Sequence, residues 1–234
     1  IYNPKKINFI NSKNNKKICD LDISKFNYEN YQYTTLKRSI LLKFLLNNIS
    51  KKKIKLNIQL KNLTYEKKLT LYFSENHTEE FDYLIVSDGV FSDTKSIILK
   101  KDIKPKYFNS LALRGNINNF PNEDISIYFG SNFHFVIYPV NKKNEFNFIL
   151  IIKKQLFNKK FYTDKNFLQS ITQELYKKIN VNLDGKLYNI KSFPIYISKK
   201  IEISKKKNIF FVGDALFATP PSFAQGASQS IESS

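Results

Sequence analysis

Apolar and polar residues alternate with a period of two in several short stretches of the chain, as expected for β-strands with one buried face. Residues 1–23 alternate around a polar turn at residues 12–15 and predict a hairpin. Residues 54–60 and 69–73 predict two further short strands. Consecutive short strands then predict an antiparallel sheet, and these stretches are residues 111–117, 125–129, 134–140 and 145–152.

Two stretches show helical spacing instead. Apolar residues recur every three or four positions in residues 34–49 and 167–179, which predicts two amphipathic helices. Thr34 and Thr35 are suited to cap the first helix, because a threonine hydroxyl can accept a hydrogen bond from a free backbone N–H. We expect one face of each helix to be buried. The residues of these faces are Leu36, Ile40, Leu41, Phe44, Leu45 and Ile49 in the first helix and Leu168, Ile171, Leu175 and Ile179 in the second.

Two continuous apolar runs predict strands that are buried on both faces. Residues 83–86 are followed by Ser-Asp-Gly, and residues 208–212 are followed by Gly-Asp. After the second run, a proline-containing loop leads to a helix of small residues that begins near residue 226. A carboxylate at a strand end suits sugar hydroxyls, and a helix N-terminus presents free N–H groups to an electron-rich ligand. The alternative to a ligand site is that this segment is an ordinary strand–loop–helix connection that binds nothing.

The composition permits a folded domain and argues against one class of partner. The 234 residues are 42% hydrophobic, which is enough for a sizeable core without disulfides or metals. A net charge of +18 is typical of nucleic-acid binding, but nearly all of it is lysine, which shares AT-rich codons with the abundant asparagine and isoleucine. Arginine occurs at Arg38 and Arg114 alone. We therefore predict no nucleic-acid partner.

Cysteine content and hydropathy indicate in which compartment the protein occurs and whether it crosses a membrane. Cys19 is the single cysteine, which excludes a disulfide framework and a cysteine zinc site and fits a reducing compartment. The longest apolar run, residues 148–152, is far shorter than the roughly 18 residues that a membrane span needs. We predict a cytoplasmic protein with no transmembrane segment and no metal site.

Residues 213–232 resemble the second flavin motif of the para-hydroxybenzoate hydroxylase superfamily, especially of its salicylate-hydroxylase-like members. They begin Gly-Asp-Ala-Leu-Phe and continue through Pro-Pro to Gln-Gly-Ala, with Phe217 in place of the usual histidine. The resemblance implies an FAD-dependent aromatic hydroxylase. It implies that Gly213 and Asp214 contact the ribityl chain of FAD and that Pro221 lies beside the reacting edge of the flavin. The backbone at the pyrimidine end would be that of Gln225, Gly226 and Ala227.

Two further stretches resemble cofactor motifs of the same family. In residues 82–95, Asp88 and Gly89 match its Asp-Gly motif, with Lys95 in place of an arginine. Lysine lacks the planar bidentate donor of arginine, so a pyridine-nucleotide or pyrophosphate contact there stays open. On the first predicted helix, Arg38 matches an arginine that touches FAD, although an arginine on the polar face of a helix is usually just solvated.

A fourth resemblance concerns the substrate. Residues 113–115, 128–130 and 134–140 resemble the substrate-domain strands of salicylate- and 3-hydroxybenzoate-hydroxylase-like enzymes. Alternate residues of a strand share a face, so we expect His134 and Tyr138 to point into one cavity. By similarity, His134 is the candidate base and Tyr138 the residue that positions the ring. The alternative is a histidine whose ring is satisfied by backbone groups.

The predicted fold class is α/β with mixed α and β parts. An incomplete Rossmann-like FAD-binding domain, residues 34–104 and 204–234, is interleaved with an antiparallel-sheet substrate domain, residues 1–33 and 105–203. The six glycines are isolated, so the Gly-x-Gly-x-x-Gly sequence that binds the FAD pyrophosphate in this family does not occur. There is also no methionine. We therefore expect an internal fragment that is inactive alone and has little or no affinity for FAD.

The intact enzyme implied by the resemblance hydroxylates a small phenolic substrate with O2 and NADH or NADPH, through an FAD C4a-hydroperoxide. A ubiquinone-pathway polyprenylphenol hydroxylase is an alternative, favoured by the Phe-Pro-Ile sequence at residues 193–195 and by Phe217. Such a substrate would require peripheral contact with a membrane. A flavin-fold protein without catalytic activity is the other alternative.

Overall fold

The computed structural model describes residues 1–28, 32–66, 68–74, 77–153, 164–178, 187–199, 208–221 and 226–234, without the side chains of residues 175, 176 and 178. It divides the chain into two compact units, residues 1–50 with 109–194 and residues 51–108 with 195–234. Residues 34–50, which we predicted to belong to the flavin-binding segment, lie in the first unit. The functions of the two units stay predictions.

The described residues form twelve strands and four helices. The strands are β1 (Lys6–Asn11), β2 (Lys17–Asp22), β3 (Leu60–Tyr65), β4 (Leu69–Phe73), β5 (Thr78–Phe81), β6 (Leu84–Val86), β7 (Lys106–Asn118), β8 (Ile125–Phe129), β9 (Phe133–Pro139), β10 (Glu145–Lys153), β11 (Leu187–Ile197) and β12 (Ile209–Phe211). The helices are α1 (Arg38–Asn47), α2 (Asp93–Leu99), α3 (Lys165–Lys178) and α4 (Gly226–Glu232).

A seven-stranded sheet with the order β11-β7-β10-β9-β8-β1-β2 organises the first unit. It confirms the predicted hairpin and the four predicted consecutive strands. The pairs β7–β10, β10–β9 and β9–β8 are antiparallel as predicted, but β1 runs parallel to β8. Strand periodicity cannot reveal this pairing, because it is the same for both directions of a neighbouring strand.

One face of this sheet forms the main hydrophobic core with α3. Phe135 and Phe148 lie at its centre, fully buried and stacked with their ring centroids 5.4 Å apart. Leu168 and Ile171 of α3 are buried against the cluster, which confirms that part of the predicted helix face. The side chain of Leu175 and all of Ile179, which complete that face in the prediction, lie outside the described residues.

Helix α1 begins later in the chain than predicted, and it is more exposed than predicted. It begins at Arg38 after Lys37, without a side-chain cap. Thr35 instead pairs with Tyr2 and donates its hydroxyl hydrogen to the Pro139 carbonyl oxygen. None of its ten residues is buried, so the predicted buried face was wrong. Periodicity identifies the face that favours burial, but only the tertiary structure shows whether something packs on it.

The second unit contains the antiparallel sheet β3-β4-β5 and the parallel pair β12-β6. The prediction of β4 is confirmed, whereas the predicted strand at residues 54–60 was wrong. Strand β3 begins at Leu60, because Asn57 adopts a left-handed backbone with φ of 60°, which interrupts an extended chain. Helix α2, which the sequence analysis did not predict, begins with Ser92 as its cap: its hydroxyl accepts the Lys95 N–H at 3.0 Å.

Strands β6 and β12 lie where the two continuous apolar runs predicted them, but they are not buried on both faces. Val86 and Phe211 are each 3% exposed in the core of the second unit. Ile85 is 65% exposed and Phe210 46% exposed on the opposite face. Successive residues of a strand point to opposite faces, and no segment that the structure describes in this unit covers the second face of the pair.

Gly115→Ala should destabilise the first unit. A Cβ at this position would come within 2.6 Å of the Phe148 ring and 2.9 Å of the Tyr188 carbonyl oxygen. We expect the free energy of unfolding to fall by about 1–3 kcal/mol, the usual range for overpacking a core. Urea denaturation followed by circular dichroism measures it. Ile18→Ala, at a 59% exposed position of β2, is the control and should change stability by less than about 0.5 kcal/mol.

Candidate functional site

A cleft lies at the carboxyl ends of the two parallel strands of the second unit. Val86 pairs with Phe211, and the Val212 N–H donates to the Val86 carbonyl oxygen at 3.0 Å, so the chain leaves both strands at the same edge. This edge is where open α/β sheets bind ligands. The cleft has a volume of about 410 Å³. Its lining residues are Ser87, Gly89, Val212, Gly213, Asp214, Ser230, Ile231 and Ser234.

Gly213 allows α4 to approach the end of β12. Its backbone is left-handed, with φ of 57°, and a Cβ here would lie 2.8 Å from the Ser230 Oγ. Its N–H donates to the Ser233 Oγ at 2.9 Å. Any larger residue would therefore be strained and would also push against α4.

Oxygen acceptors dominate the polar lining of the cleft. The carboxylate of Asp214 is exposed and makes no ion pair with any residue that the structure describes. Ser230 donates its hydroxyl hydrogen to the Gly226 carbonyl oxygen at 2.7 Å, and Ser234 donates to the Ser230 carbonyl oxygen at 2.7 Å. Because the hydroxyl hydrogens of Ser230 and Ser234 are already donated, their oxygens offer lone pairs to a ligand. This arrangement suits the hydroxyl groups of a polyol or a sugar and does not suit an anion.

Asp88 and Gly89 follow β6, but only Gly89 lines the cleft. Its φ of 86° requires a glycine, even though a Cβ would meet no atom within 4 Å. The Asp88 carboxylate instead accepts the Thr94 N–H at 3.4 Å, at the start of α2. Lys95 on the same helix is 2% exposed, and burial lowers its pKa while the charge of Asp88 partly opposes that shift. Asp88 thus faces α2 and Lys95.

Of the remaining predicted cofactor residues, those that the structure describes do not line this cleft. Pro221 is exposed, and Gly226 and Ala227 are exposed at the start of α4. Gln225 lies outside the described residues. Arg38 is exposed on α1 in the first unit.

The residues that sequence reasoning missed in the cleft are Ser87, Val212, Ser230, Ile231 and Ser234. A signal existed for Ser230 and Ile231, which lie within the motif at residues 213–232, whereas Ser234 follows the end of α4.

His134 and Tyr138 share one face of the seven-stranded sheet, as the strand period predicted. Phe135 and Ile137, between them, point into the core on the other face. In the register with β10, His134 lies opposite Ile151 and Tyr138 opposite Asn147. We call the side of the sheet that carries His134 and Tyr138 the open face.

Most of the open face is apolar, with a few polar groups. Phe9 and Phe129 stack on it with ring centroids 6.2 Å apart. Asn116 donates its amide hydrogen to the Asn147 Oδ1 at 2.7 Å, so these two side chains satisfy each other. The apolar residues that pair across its centre are Ile127, Val136, Ile149 and Ile151. A planar aromatic molecule can lie against such a surface.

The His134 imidazole is half-buried, and burial lowers its pKa below the ordinary value of 6.5. Neither ring nitrogen has a hydrogen-bond partner among the residues that the structure describes, so no backbone group there satisfies the ring. The imidazole is therefore neutral at pH 7 and retains a free nitrogen lone pair. Tyr33 lies close enough to Tyr138 for the charge of Tyr138 to add to burial in raising the pKa of Tyr33.

The described part of the chain contains no group of three or more His, Cys, Asp or Glu side chains that could hold a metal ion. None of its helices is long and apolar enough to cross a membrane.

Comparisons with known proteins find relatives by structure alone. No protein-family model matches the sequence, and no curated protein sequence matches it. HpxO from Klebsiella pneumoniae, complexed with FAD and uric acid, superimposes with a TM-score of 0.80 at 12% identity over 99% of this chain. A salicylate hydroxylase substrate complex has a TM-score of 0.74 at 15% identity over 99% of this chain. The 2,6-dihydroxypyridine-3-hydroxylase of Arthrobacter nicotinovorans has a TM-score of 0.71 at 13% identity, also over 99%.

These comparisons define the fold. The chain has the α/β fold of the FAD-dependent hydroxylases, as the sequence motifs indicated. It spans 61%, 63% and 65% of the lengths of these three proteins, respectively. At identities of 12–15%, the likeness establishes the fold, and the reaction has to be argued from the residues.

The lowered pKa of His134 should make stability depend on pH. Between its folded pKa and 6.5, the unfolded chain binds a proton at this position that the folded chain does not bind. The free energy of unfolding should therefore decrease as the pH falls below 6.5. Urea titrations at pH 7.5, 6.5 and 5.5 measure this, and His134→Gln should flatten the curve. Ile18→Ala, which removes no titratable group from an exposed position of β2, is the control and should keep the wild-type slope.

Proposed function

We propose that this chain is part of a flavoprotein monooxygenase that hydroxylates a phenolic substrate with O2 and NADH or NADPH. The observation that carries the proposal is the free, neutral imidazole of His134, which shares an apolar sheet face with Tyr138. The acceptor-lined cleft of the second unit supports it independently. The fold common to FAD-dependent hydroxylases is consistent with both.

The cleft fits the polyol part of FAD. Asp214 would accept hydrogen bonds from ribityl hydroxyls, and Gly89 and Gly213 leave the backbone accessible on both sides of the cleft. Neither lysine nor arginine lines the cleft, so it offers little to the diphosphate. When bound, FAD would supply the redox chemistry that no amino-acid side chain provides, namely hydride acceptance from a nicotinamide and activation of O2.

The open face fits the aromatic ring. Its isoleucines and Val136 would contact the ring, and the Tyr138 hydroxyl would orient the phenol oxygen. The neutral His134 would accept the phenol proton, which makes the ring more electron-rich and so more reactive towards an electrophilic oxygen. Water exclusion by the apolar residues would favour hydroxylation over loss of the activated oxygen.

Flavin binding tests the role of the cleft. Riboflavin and FAD, titrated into the 234-residue chain and followed by flavin fluorescence, should bind weakly and with similar affinity, because the cleft contacts the polyol that both contain. Asp214→Asn should weaken both by about 10- to 100-fold, the loss expected for hydrogen bonds to a carboxylate.

Asp102→Asn is the matched control for Asp214→Asn. Asp102 is also an exposed carboxylate of the second unit, but it pairs with Lys104 at 2.9 Å and does not line the cleft. Its substitution should leave flavin binding unchanged. Equal effects of the two substitutions would show that overall charge, and not the cleft, governs binding.

Turnover tests the role of His134. In the enzyme that contains this chain, supplied with NADH or NADPH and a panel of phenols, mass spectrometry should detect a product that is heavier by one oxygen atom. His134→Ala should lower the rate of hydroxylation by about 10²- to 10⁴-fold, as for the loss of a general base. His77→Ala is the control and should retain the rate. NAD(P)H oxidation without a hydroxylated product from any phenol would instead support a protein that binds flavin but does not hydroxylate.

A further inference from the structure

The open face continues beyond the place proposed for the aromatic ring and reaches the edge of the seven-stranded sheet. We call the side chains of Ile127, Phe9 and Cys19 the apolar row. We propose that the phenolic substrate carries an extended apolar substituent, such as an alkyl chain, that binds along this row. The inference rests on the proposed function, because the row begins where the ring would lie, and it adds the class of phenol.

The strand register places the apolar row directly beside the proposed ring site. Val136 lies on the open face of β9 and pairs with Ile127 of β8. Ile127 pairs with Phe9 of β1, and Phe9 pairs with Cys19 of β2. Side chains that lie directly opposite each other on paired strands project from the same face. The three side chains therefore lead in order from Val136 to the last strand of the sheet.

The residues next in the chain show which face the row occupies. Tyr128 is buried in the main core, and Ile10 packs against the same core. Because successive residues of a strand point to opposite faces, Ile127 and Phe9 face away from that core. Phe129 is 44% exposed and stacks on Phe9 with an angle of 5° between the ring planes. The row therefore has an accessible aromatic surface.

The row extends from the ring site in one direction only. On the other side of Val136, the register leads through Ile149 to Arg114. The Arg114 guanidinium lies over the Phe193 ring, with 5.3 Å between Cζ and the ring centroid. A hydrocarbon group there would remove water from a charge, which is unfavourable, whereas the apolar row carries no charge. The substituent is therefore expected to run towards β2.

The length of the row suits a chain and exceeds a single ring. Strands β8, β1 and β2 are neighbours in the sheet, so the row spans about 10 Å at about 4.8 Å per strand. A ring that lies against Val136 and Ile127 leaves Phe9, Phe129 and Cys19 uncovered. An extended apolar substituent would cover them, and removal of this apolar surface from water would stabilise the complex.

Isothermal titration calorimetry on the 234-residue chain with phenol, 4-butylphenol and 4-octylphenol tests the inference. The affinity should rise about two- to fourfold with each added methylene group. Cys19→Asp puts a charge at the exposed end of the row. It should weaken the binding of 4-octylphenol about tenfold, because the chain would desolvate that charge, and should leave the binding of phenol unchanged.

Leu56→Asp is the matched control for Cys19→Asp. It adds the same charge at an exposed apolar position, but Leu56 lies in the second unit. Its substitution should preserve the affinity for all three phenols.

Thiol labelling tests the same contact without a substitution. Cys19 is the single cysteine of the chain and is exposed, so its reaction with a thiol reagent reports whether the end of the row is covered. Saturating 4-octylphenol should slow the reaction several-fold, and saturating phenol should leave its rate unchanged.

If the length of the alkyl chain does not change the affinity, or if 4-octylphenol leaves the labelling of Cys19 unchanged, the inference is wrong while the ring site still stands. Equal loss of 4-octylphenol binding in Cys19→Asp and Leu56→Asp has the same meaning. If the chain binds none of the phenols, the inference fails together with the open face as the ring site. A wild-type dimer in sedimentation that Cys19→Asp converts to a monomer would mean that a second copy covers the row, and the inference is then wrong.

Discussion

The parallel pairing of β6 with β12 is the contact on which the cofactor cleft depends. Each strand has only three residues, and they come from distant parts of the chain. Their common direction places Gly89 and Gly213 side by side at one edge, where both adopt left-handed backbones. A shift of one residue would move Val86 and Phe211 out of the core, so burial of these two side chains fixes the register and with it the cleft.

Local patterns predicted what local physics determines. The strand at residues 125–129 was predicted to the residue, and the glycines at 89 and 213 occur where the backbone needs positive φ. Contacts between distant segments were not predictable in this way. The face of α1 and Ile85 are apolar in sequence, yet both are exposed, and none of the described residues of their own units covers them. The lining of the cleft by Ser230 and Ser234 likewise depends on how α4 folds back onto Gly213.

The net positive charge of the chain and its candidate sites have little to do with each other. Lysines dominate the composition, but no lysine that the structure describes lines the cleft, where Asp214 and serine oxygens suit an uncharged polyol. The lysine-rich composition therefore describes the protein surface, while the chemistry of the candidate sites depends on a few residues that are not lysine.

The open face is positioned by the core beneath it. Along β9, His134 and Tyr138 alternate with Phe135 and Ile137, which are fully buried, and Phe135 stacks on Phe148 of the next strand. Any slide of β9 against β10 would have to break that packing. The packed core therefore also keeps the two polar side chains in fixed positions. A site on paired strands of this kind can hold its side chains in position without a ligand present, which is what binding of a small aromatic ring requires.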